Sequence, residues 1–377
     1  MGFLDRERAA LEALLPGLDA ELAALPLGAL EAQGNPGVKL FREAGGAGLL
    51  IPAEHGGKGA DALSAVRVQR AIGSRSPSLA VATTMHHFSL ASLVVLSRTG
   101  NGFEWMLLTG IVDGRLLLAS GFAEGQPGGS ILRPSMTAEV TEQGLRVSGA
   151  KRPCSLARSM DLLTASVMVP RTDGTGEQLA VVLVPAGDPG LSVSPFWGSF
   201  ALAGAESDQV TVTDVLVPED LVVRTDVPEG ELLDDIQTTG FVWFELLMTA
   251  SYLGAASALV ERLLASPKVP VGDRMRLVTE LEAAMAGVEN VARQTGAERC
   301  EPDLLVDSLH VRYAAQDAIA RVVPRAVELL GGLNFMSSDD VAYLAAAVNG
   351  LGLHPPARGR MAEPLADHLA GRALAIV

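Results

Sequence analysis

Leucines at positions 11, 14, 15, 18, 22 and 25 recur at spacings near three and four, the period of one helix face, and predict helical sequence over residues 4–33. Pro16 lacks an amide hydrogen and crowds the preceding turn, so a break is expected there. A second helical piece runs from about Val38 to Glu43. The run Gly48-Leu49-Leu50-Ile51, closed by Pro52-Ala53-Glu54-His55-Gly56-Gly57-Lys58-Gly59, reads by itself as a loop between helices. Residues 61–75 and 80–98 return to the helical period. Asp113-Gly114 marks a turn, and the first strand is expected from Leu116 to Gly121.

From there to about Val223 the pattern shortens. Runs of Val, Thr and Leu at Thr137–Val140, Leu145–Val147, Leu162–Val169, Leu179–Val184 and Val210–Thr213 alternate with Gly, Pro and Asp turns. These predict an antiparallel β-domain, a small barrel or sandwich. Pro218-Glu219-Asp220 ends it, and 226–231 reads as a polar linker. Residues 234–265, 273–298, 303–331 and 339–351 then carry the character of a helical bundle. The expected fold class is α+β: an N-terminal helical domain over 1–115, a central β-domain over 116–230 and a C-terminal four-helix bundle over 231–377.

Composition narrows the partners. Of 377 residues, 48% are apolar, but no uninterrupted apolar run is long enough to span a bilayer, and the charged start Asp5-Arg6-Glu7-Arg8 lacks the layout of a signal peptide. A cytoplasmic protein is expected. A net charge of -15 argues against nucleic acid and anionic membranes as partners. Cys154 and Cys300 are too few for a disulfide framework. No metal is expected: His86-His87 lie in an apolar helix but point in different directions, so they do not make a metal-binding pair four residues apart. Packing is the simpler role for them, with one a candidate pocket residue.

Candidate chemistry concentrates between Gly121 and Ser155. Gly121-Phe122-Ala123-Glu124-Gly125-Gln126-Pro127-Gly128-Gly129-Ser130 is a glycine-rich loop ending in a hydroxyl, suited to bringing backbone amides close to a ligand. It lacks the βαβ setting of a dinucleotide fingerprint. Ser130 has no obvious His and Asp partners, so it is not read as a hydrolase nucleophile.

Five segments in order resemble the acyl-CoA dehydrogenase superfamily of flavoproteins. Residues 51–59 are similar to its "PEEYGG-G" turn, and Phe122-Ala123-Glu124 leading to Gly129-Ser130 to its "TEPGAGSD" loop. Ser148-Gly149-Ala150-Lys151 resembles "NGxK", Asp214-Val215-Leu216-Val217-Pro218 "V-VP", and Glu328-Leu329-Leu330-Gly331-Gly332 "QxxGG". The resemblance implies FAD between the β-domain and the C-terminal bundle, held by Phe122, Ala123, Gly129 and Ser130. Pro153, Cys154 and Ser155 stand in the places of the family's Trp-x-Thr at the flavin edge, and Gly331 and Gly332 come near the cofactor. It further implies an acyl thioester of CoA or a carrier protein as substrate, bordered by Ser130, Phe244 and His354. A homodimer or homotetramer and a flavoprotein electron acceptor are implied as well.

The sequence departs from the family where a dehydrogenase needs its base. Removing a proton α to a thioester carbonyl takes a carboxylate within reach, yet the family's two glutamate places fall on Pro355 and Phe244. The Arg-Asp pair that usually precedes the first falls on Ala346 and Ala347. Glu245 is adjacent to the second place, but one residue turns a helical side chain by about 100°, so it is expected to point elsewhere. His354, next to Pro355, is a candidate acid or base because imidazole titrates near neutrality; the alternative is a solvated residue before a Pro-Pro turn. The family's "RxxFG" phosphate loop is missing, with Arg274 or Arg276 as candidate replacements. Three readings stay open: an acyl-thioester dehydrogenase with a relocated base, a flavin-dependent monooxygenase or N-oxygenase that needs no such base, and a non-catalytic acyl-binding relative.

Overall fold

The computed structural model describes residues 2–99, 103–126, 131–171, 176–225, 227, 232–296 and 300–377. Seven helices come first: α1 (Asp5–Leu14), α2 (Leu18–Ala23), α3 (Leu27–Glu31), α4 (Pro36–Glu43), α5 (Ala62–Arg75), α6 (Pro77–Thr99) and α7 (Phe103–Gly114). The break at Pro16 separates α1 from α2 as expected. The sequence reading passed over α7, a short and mainly apolar run in which Glu104, Thr109 and Asp113 set no clear helical face.

Eight strands follow: β1 (Leu118–Gly121), β2 (Thr137–Thr141), β3 (Gly144–Cys154), β4 (Leu162–Pro170), β5 (Glu177–Pro185), β6 (Leu191–Ser194), β7 (Asp208–Val217) and β8 (Val222–Arg224). They form two four-stranded sheets in contact, ordered β1-β4-β5-β8 and β2-β3-β7-β6. Every pairing is antiparallel except β1 with β4, where Ser120 stands beside Thr164.

The remaining helices are α8 (Asp235–Leu264), α9 (Val271–Gln294), α10 (Pro302–Ser337), α11 (Asp339–Ala347) and α12 (Arg358–Leu369). A 3-10 stretch, Val348–Leu353, joins the last two. Asp234 starts α8 with a capping box: its carboxylate accepts the Gln237 amide at 2.6 Å, and the Gln237 side chain accepts the Asp234 amide at 3.0 Å.

The two helical ends of the chain do not stand apart. α5 and α6 both pack on α8, which is buried nearly throughout. Glycines allow the close crossing of α5 and α8. A Cβ on Gly73 would lie 2.2 Å from the Ser251 carbonyl oxygen, and one on Gly254 2.3 Å from that of Arg70. Pro77–Arg98 and α8 are long and apolar enough on average to cross a membrane, although polar residues interrupt both. In the fold both are core helices, and the apolar window of α8 is wholly buried.

Candidate active site

A cavity of about 190 Å³ opens between α6, the β1-β4-β5-β8 sheet and the first half of α8. α6 contributes Met85, Phe88, Ser89 and Leu93; α8 contributes Gly240, Phe241 and Phe244. The loop after β1 supplies Phe122 and Ala123, the end of β3 supplies Pro153 and Ser155, and the turn before α12 supplies His354 and Pro355. Distant segments thus bring together seven residues singled out in the sequence.

Two buried ion pairs set this wall. Lys151 is fully buried on β3, and its Nζ donates to Glu124 Oε1 at 2.8 Å and Ser166 Oγ at 3.1 Å. Glu124 also accepts the Ser135 amide and hydroxyl, tying the 122–126 loop to the start of β2. Burial pushes the Glu124 carboxyl up, but the bonds from Lys151 and Ser135 outweigh it and hold it below the usual range. Glu124 therefore holds its loop and does not face the cavity.

The second pair lies deeper. Glu245 and Arg312 are both fully buried, with Arg312 Nη1 2.8 and 2.9 Å from the two carboxylate oxygens. Arg312 also donates to the carbonyls of Leu351 at 3.0 Å and His354 at 2.5 Å. Glu245 does point away from the cavity, and through Arg312 it fixes the turn that presents His354. Sequence reasoning missed Arg312, whose partner is 67 positions away.

His354 sits at the end of an aromatic row. Phe88 lies 5.7 Å from Phe122 and 5.5 Å from Phe244, which in turn lies 6.1 Å from His354. The Tyr252 hydroxyl is 2.8 Å from His354 Nε2. Burial first, and then the Arg312 charge, push the His354 imidazole down to about 3. At neutral pH it is an uncharged hydrogen-bonding group, which corrects the expectation of an acid or base titrating near neutrality. Burial also pushes the Tyr252 phenol up, so it keeps its proton.

Polar groups on the apolar wall are mainly hydroxyls. Ser120 donates to the Met85 carbonyl at 2.8 Å and Thr164 to that of Ala119 at 3.1 Å. Ser89 lies 2.6 Å from Ser120 and 3.3 Å from Thr164. With the other two hydrogens committed, Ser89 donates within the trio, and what the trio can still offer is lone pairs. Ser155 is paired with Ser207 at 2.9 Å. Asp234 is the one acidic side chain lining the cavity among the described residues, and its carboxylate caps α8.

Other expected site residues are placed differently. Cys154 is fully buried outside the cavity, because side chains alternate along β3 and its neighbours Pro153 and Ser155 take the cavity side. Burial pushes its thiol up to about 12, so it is no nucleophile. Gly331 and Gly332 do not line the cavity: they form a kink far along α10, where Gly331 has φ of 81° and Gly332 is exposed. Gly129 and Ser130 lie outside the described residues. Arg274 donates to the Leu264 carbonyl at 3.3 Å, and neither it nor Arg276 is among the described residues that line the cavity.

His86 is a structural bridge. Its Nε2 donates to the Ala47 carbonyl at 2.9 Å, and its Nδ1 accepts the Leu118 amide at 3.1 Å. Burial pushes it down to about 4, so it joins α6 to β1 as a neutral ring. His87 is fully buried against Phe41, at 5.7 Å between rings. Among the described residues, neither of its ring nitrogens has a hydrogen-bond partner.

Known proteins resemble this chain over its whole length. Residues 22–102 match the acyl-CoA dehydrogenase N-terminal domain family. An isobutylamine N-hydroxylase from Streptomyces viridifaciens is 45% identical over 380 residues, covering 100% of both chains. The nitrososynthase structure from Micromonospora carbonacea var. africana superimposes with a TM-score of 0.81 at 19% identity, covering 97% of this chain and 96% of that one. FMN-bound TdsC from Paenibacillus sp. A11-2 gives 0.78 at 18% identity, covering 99% and 98%.

Proposed function

The chain belongs to the acyl-CoA dehydrogenase superfamily and is a flavin-dependent oxidoreductase, and we propose that it N-hydroxylates a small primary alkyl amine in the cavity between α6, α8 and the β-domain. One observation carries the choice of reaction. Phe244 and Pro355 face the cavity where a dehydrogenase would place its base, and Glu245 is turned away and neutralised by Arg312. Oxygen transfer to nitrogen needs no carbon base. It needs an amine with its lone pair free.

The cavity favours that form. Apolar walls raise the cost of an ammonium ion, so a bound amine is shifted towards its neutral state. The lone pairs of the Ser89-Ser120-Thr164 trio suit an N–H donor. His354, neutral and held by Tyr252, adds a hydrogen bond at the opposite end of the wall. The 45% identical isobutylamine N-hydroxylase supports the same class of substrate.

The wall also suits a flavin ring. Phe122, Ala123 and Pro153 give flat apolar contact, and the Ser155 hydroxyl adds one polar edge. Of FAD and FMN we favour FMN, which TdsC carries in its structure. When bound and reduced, the flavin supplies activation of molecular oxygen. The overall change is RNH2 + O2 + 2 e⁻ + 2 H⁺ → RNHOH + H2O. The sequence has no nicotinamide fingerprint, so a separate reductase is the fitting source of reduced flavin. The setting is the cytoplasm. Exposed Leu333, Phe335 and Met336, at 80%, 48% and 76% exposure on one turn of α10, favour a homodimer or homotetramer.

Two incubations separate this reading from acyl-thioester oxidation. With reduced FMN, air and a panel of short alkyl amines, an alkylhydroxylamine is the expected product by mass spectrometry. With oxidised flavin and acyl-CoAs under argon, the flavin spectrum is expected to stay unchanged. Bleaching by an acyl-CoA, with no hydroxylamine in the first incubation, would overturn the proposal.

A further inference from the structure

The two ring nitrogens of His354 are not equivalent. Nε2 is 2.8 Å from the Tyr252 hydroxyl, and Tyr252 is not among the described residues that line the cavity. Nδ1, on the other side of the ring, has no hydrogen-bond partner among the described residues, yet it is not one of the fully buried nitrogens left unpaired. With His354 lining the cavity, Nδ1 is the nitrogen left open to a bound molecule.

The direction of the Tyr252 bond follows from the surroundings of the phenol. Tyr252 is 1% exposed, and His354 Nε2 is the one hydrogen-bond partner of its hydroxyl among the described residues. A buried hydroxyl hydrogen needs an acceptor, and burial pushes the phenol up, so the hydrogen stays on it. A neutral imidazole has one N–H and one lone pair. With its hydrogen on Nε2, the ring would donate to the phenol oxygen and leave the phenol hydrogen without an acceptor in the core. The satisfied arrangement has the phenol donating to a bare Nε2, which leaves the imidazole proton on Nδ1. The fold keeps room for this contact. A Cβ on Gly350, in the 3-10 stretch before His354, would lie 2.3 Å from the Tyr252 hydroxyl oxygen.

We infer that Tyr252 is a positioning residue that fixes His354 as the Nδ1-protonated tautomer, so that the imidazole enters the cavity as a hydrogen-bond donor for an oxygen atom and not as an acceptor for the amine. The two ends of the wall then divide the work. The Ser89-Ser120-Thr164 trio offers lone pairs to the amine N–H groups, and His354 offers a hydrogen to the oxygen that is transferred. The choice of oxygen as recipient rests on the N-hydroxylation reading; the tautomer does not.

The test is 15N NMR of protein labelled at its six histidines, read near neutral pH without flavin or amine, with His354→Asn identifying the His354 signals. The wild type is expected to show the protonated nitrogen at Nδ1 and the bare one at Nε2. Tyr252→Phe removes only the hydroxyl and is expected to move the proton to Nε2 in at least part of the molecules, with an unchanged circular dichroism spectrum. Gly350→Ala, which displaces the phenol by a different route, should repeat the shift. A wild type with the proton on Nε2, or variants that keep it wholly on Nδ1, overturns the proposal. Turnover separates donor from acceptor. With reduced FMN, air and a short alkyl amine, Tyr252→Phe is expected to lower kcat about tenfold and leave KM for the amine unchanged. A raised KM with kcat intact would make His354 an acceptor for the amine and overturn the donor role. If the wild type hydroxylates no amine, the N-hydroxylation reading fails, while the NMR result still decides the tautomer.

Discussion

His87 shows how a single side chain can be expensive where it sits. Burial, then the neighbouring His86, push its imidazole well below the ordinary value, and neither ring nitrogen is satisfied among the described residues. Below about pH 6.5 the unfolded chain takes up a proton that the folded one refuses. Its cost to stability therefore appears as pH falls and is absent above that value. His87→Leu should raise the urea midpoint, and its advantage should grow by about 1.4 kcal/mol for each pH unit below about 6.5. Midpoints at pH 7.5 and 5.5 check this, and an advantage independent of pH would contradict it. At this scale the sequence was informative where a residue keeps its place along the chain. Phe122, Ala123, Pro153, Ser155, Phe244, His354 and Pro355 all reach one cavity. It was silent where a role depends on a partner far along the chain. Nothing local marks Arg312 as the counter-charge of Glu245, or Tyr252 as the partner of His354. Cys154 was misplaced because a register carried from a resemblance does not by itself say which face of a strand a residue takes.

The Glu245–Arg312 pair joins elements as well as residues, since it links α8, α10 and the turn before α12. Glu245→Gln should cost about 3–5 kcal/mol in unfolding free energy by leaving a buried cation without its counter-charge. The double change Glu245→Leu, Arg312→Met removes both charges and should recover most of that stability. It should not recover amine turnover, because the Leu351 and His354 carbonyls lose the Arg312 guanidinium that fixes the turn beside the cavity. Chemical denaturation and steady-state rates on the same preparations separate the two effects; a double variant with full turnover would show that the pair does not position the turn. The major helices and strands were legible in the sequence because apolar spacing reports a half-buried face. α7 was missed for want of such spacing, and α12, with Pro364 inside it, for want of an uninterrupted run. The parallel pairing of β1 with β4 is set by the long excursion between them, which strand patterns do not encode.

Across the whole molecule, acidic residues predominate, and the exception carries the argument: an apolar cavity whose one lining carboxylate among the described residues, that of Asp234, is occupied as a helix cap. The net charge is legible along the chain, but the mainly apolar lining of this cavity is not, because its residues come from segments that meet only in the folded chain. The same holds for reaction class. Loss of a base at Phe244 and Pro355 could be read from the chain, while the neutral hydroxyl and imidazole lining that suits an amine could not. The measurement that tests this most directly is a single turnover of the protein with reduced FMN and isobutylamine under 18O2. The account predicts N-isobutylhydroxylamine carrying one 18O atom. Full reoxidation of the flavin with oxygen reduced to hydrogen peroxide across a panel of short amines, and no labelled hydroxylamine, would contradict it.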